Sequence, residues 1–252
     1  MNVSGHPAAR IAAPARTLVE TMSIPDGPNA ALLRGARDAL CAAARAKGLT
    51  LFISDDWTDL EEVNRRNRAS WVPILHRAPS LPSFWIGAVD GEGEVVATQG
   101  GLLVDCAGRS FADRLQDLSV FYDAPAREAP IAEFCFVGGG SLAWETDGAV
   151  CWIVAGWNHP SVRGQGLFHL VGRVVRLVSW LRWAPRYWAG VVMPETVPAW
   201  SEGRAGHRHL SARPDILYRE SSTPRPALHF LRICRAGALL DFGALAQVSA
   251  TP

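Results

Sequence analysis

Apolar and polar positions change period several times along the 252-residue chain, and the sharpest change falls between residues 150 and 183. Val150, Cys151, Trp152, Ile153, Val154, Ala155, Gly156 and Trp157 make an almost unbroken apolar run of strand length, the pattern of a strand covered on both faces. Pro160 forbids further ladder bonding, and Gly164 and Gly166 permit a tight backbone path. From Leu167 the period becomes helical. Leu167, Phe168, Leu170, Val171, Val174, Val175, Leu177, Val178 and Leu181 fall on one broad arc, while His169, Gly172, Arg173, Arg176 and Ser179 fall on the other, polar arc. The pattern predicts strand, glycine loop, helix.

The same periodicities place the remaining elements. Residues 29–46 read as a helix with Leu32, Leu33, Ala36, Leu40 and Ala43 in a stripe, stopped near Gly48. Residues 49–53 form a strand. A helix follows, capped by Ser54, Asp55 or Asp56, with Leu60 and Val63 on its apolar side. Residues 84–89 and 94–99 read as a hairpin around 90–93, the second strand running on to 104 with a bulge at Gly100–Gly101. A helical stretch over 111–122 and a strand over 131–137 come next. The triple glycine 138–140 reads as a turn between adjacent strands rather than an anion cradle. Strand 187–192, a helix over 195–209 and strands 215–218 and 228–233 complete the pattern.

Composition narrows the function classes. Hydrophobic residues are 48% of the chain and charged residues 19%, which describes a folded chain with ample core material. The net charge of +1, with Lys47 the sole lysine among 25 basic residues, gives no reason to expect nucleic acid. No apolar run reaches the ~20 residues a bilayer span needs, so no membrane partner is expected. Five cysteines, scattered and without Cys-x-x-Cys spacing, point to a reduced, cytoplasmic compartment. His207 and His209 lack the companions of a metal site, so no metal is expected.

The loop itself carries chemistry. A helix start leaves backbone N–H groups without partners and places partial positive charge there. Glycines at 164 and 166 let a diphosphate approach, and Arg163 adds a cation. A P-loop is excluded because no Lys-Ser/Thr pair follows. A dinucleotide fingerprint is excluded because His169 stands where its third glycine belongs.

Pro160, Arg163, Gly164 and Gly166, after a buried strand and before an amphipathic helix, resemble the coenzyme A loop of the GNAT acyltransferase superfamily, often Val-x-Pro-x-x-Arg-Gly-x-Gly. Asn158 replaces the valine and Ser161 the usual Gln or Arg. The resemblance implies an α/β fold: a GNAT-type mixed, centrally splayed sheet flanked by helices, with an N-terminal helical extension. It divides the chain into a loose leader (1–27), the extension (28–48), a GNAT-like domain (49–242) and a tail (243–252). It implies acetyl-CoA or another acyl-CoA as cofactor, bound by Trp157, Asn158, Arg163, Gly164, Gln165, Gly166 and Leu167. A small-molecule amine is the implied acceptor, and the family admits a homodimer. Residues 64–68, a solvated helix face on charge alone, lie where the family builds its acceptor wall.

Amine acylation needs a base, and Glu133, Glu145, His159 and Glu195 are candidates. Two stand out. His159 lies beside the implied thioester, though a loop histidine is the plainer reading. Glu133 interrupts an apolar strand, on its wet side or in a pocket. The tyrosine that the family often uses as general acid is missing: Glu202 occupies its place, and Trp200 is the nearest aromatic. Two functions follow, an N-acyltransferase or a catalytically inactive GNAT-fold module that binds a ligand or protein. Some of the ten tryptophans could line an apolar acyl or acceptor pocket.

Overall fold

The computed structural model describes residues 16–200, 202–219 and 224–249; the first 15 residues of the expected leader lie outside these. In chain order the strands are β1 (Thr17–Leu18), β2 (Thr50–Ser54), β3 (Ser83–Val89), β4 (Val95–Cys106), β5 (Phe134–Val137), β6 (Gly148–Asn158), β7 (Tyr187–Val192), β8 (His209–Leu210), β9 (Ile216–Arg219) and β10 (Pro224–Cys234). The helices are α1 (Ala30–Arg45), α2 (Trp57–Arg66), α3 (Phe111–Gln116), α4 (Pro125–Glu128), α5 (Leu167–Trp183), α6 (Glu202–Ala205) and α7 (Arg235–Ser249).

Among the described residues the strands form one sheet in the order β1-β2-β3-β4-β6-β7-β10-β9-β5, with β8 on β10. Neighbours are antiparallel except β6 and β7, which run parallel. A parallel pair needs a crossover, and α5 supplies it. The fold is therefore mixed α/β, with a large, mostly antiparallel sheet flanked by helices.

Each face of the sheet has its own core. On one face α1, α5 and α7 pack over Ile53, Phe84, Ile86, Ala97, Cys151 and Trp188. On the other, α2, α3 and the segment around Trp71 cover Phe52, Trp85, Leu102, Val104, Trp152 and Trp157. Of the expected extension, α1 packs against α7, where a Cβ on Gly35 would stand 2.8 Å from the Ala246 Cβ. The expected domain boundary at 242 falls inside α7. Residues 17–21 contribute β1 and a short turn that buries Val19 completely.

Four expectations need correction. The bulge is not at Gly100–Gly101, which pair regularly with Trp85 and Phe84. Those glycines make room for rings: a Cβ on Gly100 would lie 2.7 Å from Trp57. The strand expected over 131–137 begins at Phe134, because the Glu133 N–H closes a turn onto the Pro130 carbonyl at 2.9 Å and leaves Ile131 fully exposed. β5 then pairs with β9 at the far end of the sheet, so the triple glycine does not join adjacent strands. The helix expected over 195–209 breaks into a 3-10 segment, Pro194–Trp200, the single turn of α6 and β8. Pro198 lacks an N–H, and Gly206 at φ 77° turns the chain.

Candidate functional site

The parallel pair stays joined for three residues. Val150, Cys151 and Trp152 face Tyr187, Trp188 and Ala189, and there the pairing ends, although β6 continues to Asn158 and β7 to Val192. A bulge accompanies the parting. Thr98 pairs with Trp157 and Gly100 with Val154, so Ala155 and Gly156 oppose Gln99 alone. Ala155 takes φ 53°, an unusual conformation for a residue with a side chain, and the Thr98 hydroxyl donates to its carbonyl at 2.9 Å. Such a bulge bends a strand and increases its twist, which carries β6 away from β7.

Beyond the parting lies the glycine loop. His159 starts a 3-10 turn over Pro160–Val162, and Gly166 caps α5. Gly164 has φ 80° and Gly166 φ 76°, and a Cβ at either would meet nothing within 4 Å. Glycine is required there by the backbone path, and the space above stays open. The N–H of Arg163 bonds to Pro160, but those of Gly164, Gln165, Gly166 and Leu167 meet no backbone acceptor among the described residues. With its amide oriented to satisfy both ends, Asn158 accepts the next N–H, from Phe168, at 3.2 Å. Four successive free donors at the start of a 17-residue helix form an anion cradle that could hold a diphosphate.

A strand that leaves its parallel neighbour at a bulge, a glycine loop beyond it, and a crossover helix back to that neighbour together decide the architecture. It is the arrangement that the resemblance to the GNAT superfamily implies.

No family model matches the chain, and no curated protein does. Among solved structures, the chain is similar to Arabidopsis thaliana NAA60 in complex with a bisubstrate analogue (12% identity, TM-score 0.40, covering 75% of this chain and 99% of that one). It is also similar to FeeM, an N-acyl amino acid synthase from uncultured soil microbes (14%, 0.38, 94% and 99%). A third is BjaI, a CoA-dependent acyl-homoserine lactone synthase, with SAM and isopentyl-CoA (13%, 0.35, 68% and 65%). At these TM-scores the likenesses add nothing to what the strand order shows.

The expected site residues fall into separate settings. The Trp157 ring is buried, stacked on Trp71 with centroids 4.9 Å apart, and its Nε1–H donates to the Ser70 hydroxyl at 3.3 Å. Its backbone, not its indole, borders the parting. Arg163 is turned toward backbone carbonyls, donating to Asn158 at 3.4 Å and to Ser70 at 3.2 Å, and so ties the glycine loop to the segment over Trp157. Gln165 is exposed, and the Leu167 side chain is wholly buried beneath the cradle.

The two expected bases do not meet each other. His159 accepts the Ser161 N–H on Nδ1 at 3.3 Å, with the Ser161 hydroxyl 2.6 Å from the same atom. That bond fixes the tautomer with its proton on Nε2. Glu133 is buried, and its two oxygens accept the Tyr122 hydroxyl at 2.7 Å and the Tyr218 hydroxyl at 2.5 Å. Tyr122 in turn lies against His76, ring centroids 5.6 Å apart.

Two residues that shape the site, Phe168 and Gln99, gave no sign of that role in the sequence. Phe168 rests on the bare backbone of Gly156, where a Cβ would come within 2.7 Å of the ring. Trp200 meets Phe168 edge-on at 5.5 Å. These rings, with Gln99, Ile153, Gly172 and Arg176, enclose a cavity of ≈ 20 Å³ on the α5 side of the parting. The Gln99 side chain is buried and its Oε1 has no partner, standing where a Cβ on Gly172 would come within 2.7 Å. An orphaned amide oxygen thus faces a cavity roomy enough for one water.

Two residues of the polar arc of α5 are buried rather than exposed. Arg176 is 3% exposed and donates to Asp241 of α7 at 2.9 Å, and Ser179 accepts the Trp188 indole N–H at 2.6 Å. α7 and β7 cover what an isolated helix would leave to water. Burial pulls Arg176 down to about 10, against the opposing pull of Asp241. His207, the faint metal candidate, also bonds to Asp241, through its N–H at 3.0 Å and Nδ1 at 2.8 Å. Burial pushes the Cys106, Cys135 and Cys151 thiols up to about 12, which makes them inert packing residues.

Proposed function

We propose that the protein transfers an acyl group from acetyl-CoA or another acyl-CoA to the amine of a small molecule. The reading rests on one observation, the four unpaired N–H groups of Gly164, Gln165, Gly166 and Leu167 beside the parting of β6 and β7. These groups would hold the diphosphate. Asn158 and the backbone of Trp157 would border the arm that leads into the parting. When bound, an acyl-CoA supplies an activated acyl carbonyl; the chain's own task is to orient it, exclude water and take a proton from the amine.

Of the two candidate bases Glu133 suits that task better. Its carboxylate is fixed by two hydroxyls, and Tyr122 extends from it toward His76. Glu133 receives the amine's proton through the Tyr122 hydroxyl. His159 could accept a proton on Nδ1 only by releasing the Ser161 N–H. The test is calorimetric titration with acetyl-CoA, followed by thiol release with a panel of amines. Absence of acetyl-CoA binding would overturn the reading.

A second reading, an inactive GNAT-fold binding module, is favoured by a specific feature. The Phe168 ring covers Gly156 and Trp200 backs it, so the groove is filled where an arm would lie. Acetyl-CoA binding without thiol release from any amine would select this reading.

A further inference from the structure

On the face of the sheet opposite α5, a second cleft reaches the parting. Leu102 and Val104 of β4 and Trp152 and Val154 of β6 form its floor. Val154 lies past the last β6–β7 pair, so the floor runs out at the point where the sheet opens. Its free interior is ≈ 10 Å³, about one water, but the space within its walls, open mouth included, is ≈ 310 Å³. The lining is apolar except at one side, where Trp57, His76 and Arg77 gather.

Those polar groups are short of partners. The Arg77 guanidinium lies over the Trp57 ring, 4.8 Å from its centroid. Among the described residues it donates no hydrogen bond and meets no carboxylate at ion-pair distance. The contrast with Arg176, which is paired with Asp241, is plain. Trp57 is 5% exposed and its Nε1–H is buried without an acceptor. A partly buried cation and an orphaned N–H at the edge of an apolar cleft are both donors, and both call for an anionic oxygen. Glu61 and Asp123 act on the Arg77 charge only from beyond ion-pair distance, and among the described residues no carboxylate oxygen meets either donor.

We propose that this cleft binds the acceptor, and that the acceptor is an apolar amino acid or similar primary amine whose carboxylate is held by Arg77 and the Trp57 Nε1–H. The proposal rests on the acyltransferase reading for the word acceptor, but not for the binding itself. The carboxylate sits at the mouth, the apolar body lies along Leu102, Val104 and Val154, and the amine is left toward the parting. Arg77 leaves the Trp57 ring to let the ligand enter and closes over it afterwards.

The test compares L-leucine, 4-methylpentanoate and isopentylamine by calorimetry, each with and without saturating CoA, on the full chain. Leucine and 4-methylpentanoate should bind, and isopentylamine should bind at least tenfold more weakly. Arg77→Met should weaken leucine at least tenfold while leaving isopentylamine unchanged, Arg77→Lys should fall between, and Trp57→Phe should weaken leucine several-fold. A thermal melt of each variant separates loss of binding from loss of fold. Equal binding of leucine and isopentylamine, leucine binding unaltered in Arg77→Met, or no binding of leucine, valine, phenylalanine or methionine would each overturn the proposal. Thiol release with isopentylamine but no dependence on a carboxylate would leave the transferase standing and remove this acceptor. Arg77-dependent leucine binding with no thiol release would do the reverse.

Discussion

Arg176 and Asp241 meet at 2.9 Å with their side chains 4% and 5% exposed, joining the helix behind the glycine loop to the final helix. Removing one partner strands the other charge away from water. Asp241→Asn should therefore cost about 3–5 kcal/mol in urea denaturation. The paired change Arg176→Met with Asp241→Leu should recover most of that. Gly206→Ala should also destabilise, since its backbone has φ 77° and a Cβ would collide with the Asp241 carboxylate. A neutral Asp241→Asn variant would mean that the pair contributes nothing to the packing of α5 on α7.

The glycine loop makes a different demand. Gly164→Glu places bulk and negative charge over the free N–H groups, whereas Arg163→Ala removes a side chain whose donors already face the Asn158 and Ser70 carbonyls. Acetyl-CoA affinity should fall at least a hundredfold in Gly164→Glu and by less than tenfold in Arg163→Ala. Titration of folded variants decides it, and unaltered affinity in Gly164→Glu removes the cradle as the site.

Phe168 distinguishes a covered groove from a closed one. If the ring only has to move aside, Phe168→Ala should tighten acetyl-CoA binding several-fold and speed thiol release. Gly156→Val, which pushes against the ring, should unsettle the same wall. Binding that is weakened in Phe168→Ala, in a variant that melts cooperatively, would show instead that the ring forms part of the binding surface.

Acidification should loosen the same region. Burial holds His169 below its ordinary 6.5, opposed by its bond to the Ala199 carbonyl and assisted by Arg173, Arg176 and Arg204. The unfolded chain thus takes up this proton more readily than the folded one. The contribution of the neutral ring is whole above about pH 6.5, and it is lost as the pH falls through the lower folded value. His169→Gln should flatten the dependence of melting temperature on pH between 7 and about 5. A slope identical to that of the parent would show that His169 titrates alike in both states.

The local sequence carried the strand, loop and helix around 150–183 because each period is repeated within the element itself. Other features depend on distant neighbours. Arg176 lies on the polar arc of α5, and only the arrival of α7 turns that arc into an interior. β5 could be seen as a strand, but its partner β9 is far along the chain, so its place at the sheet edge could not. Glu133 was conspicuous as a carboxylate among apolar residues, whereas the tyrosines that hold it were ordinary residues until the fold brought them together. Gln99, Arg77 and Trp57 are notable for what they fail to touch, and a lack of partners has no signature in sequence.

The pairing of α1 with α7 sets the order in which the chain can be completed. During synthesis β2, β3 and β4 can assemble soon after they emerge, since they follow one another in the chain with only α2 and its loops between β2 and β3, and are adjacent in the sheet. The face of α1 that receives Ala246 stays uncovered until α7 has left the ribosome. Closure of that long loop comes late and is the slow step expected of a contact so distant in sequence. For that interval the apolar stripe of α1 is a natural point of engagement for a chaperone, and nascent chains halted before residue 235 should be the ones that aggregate.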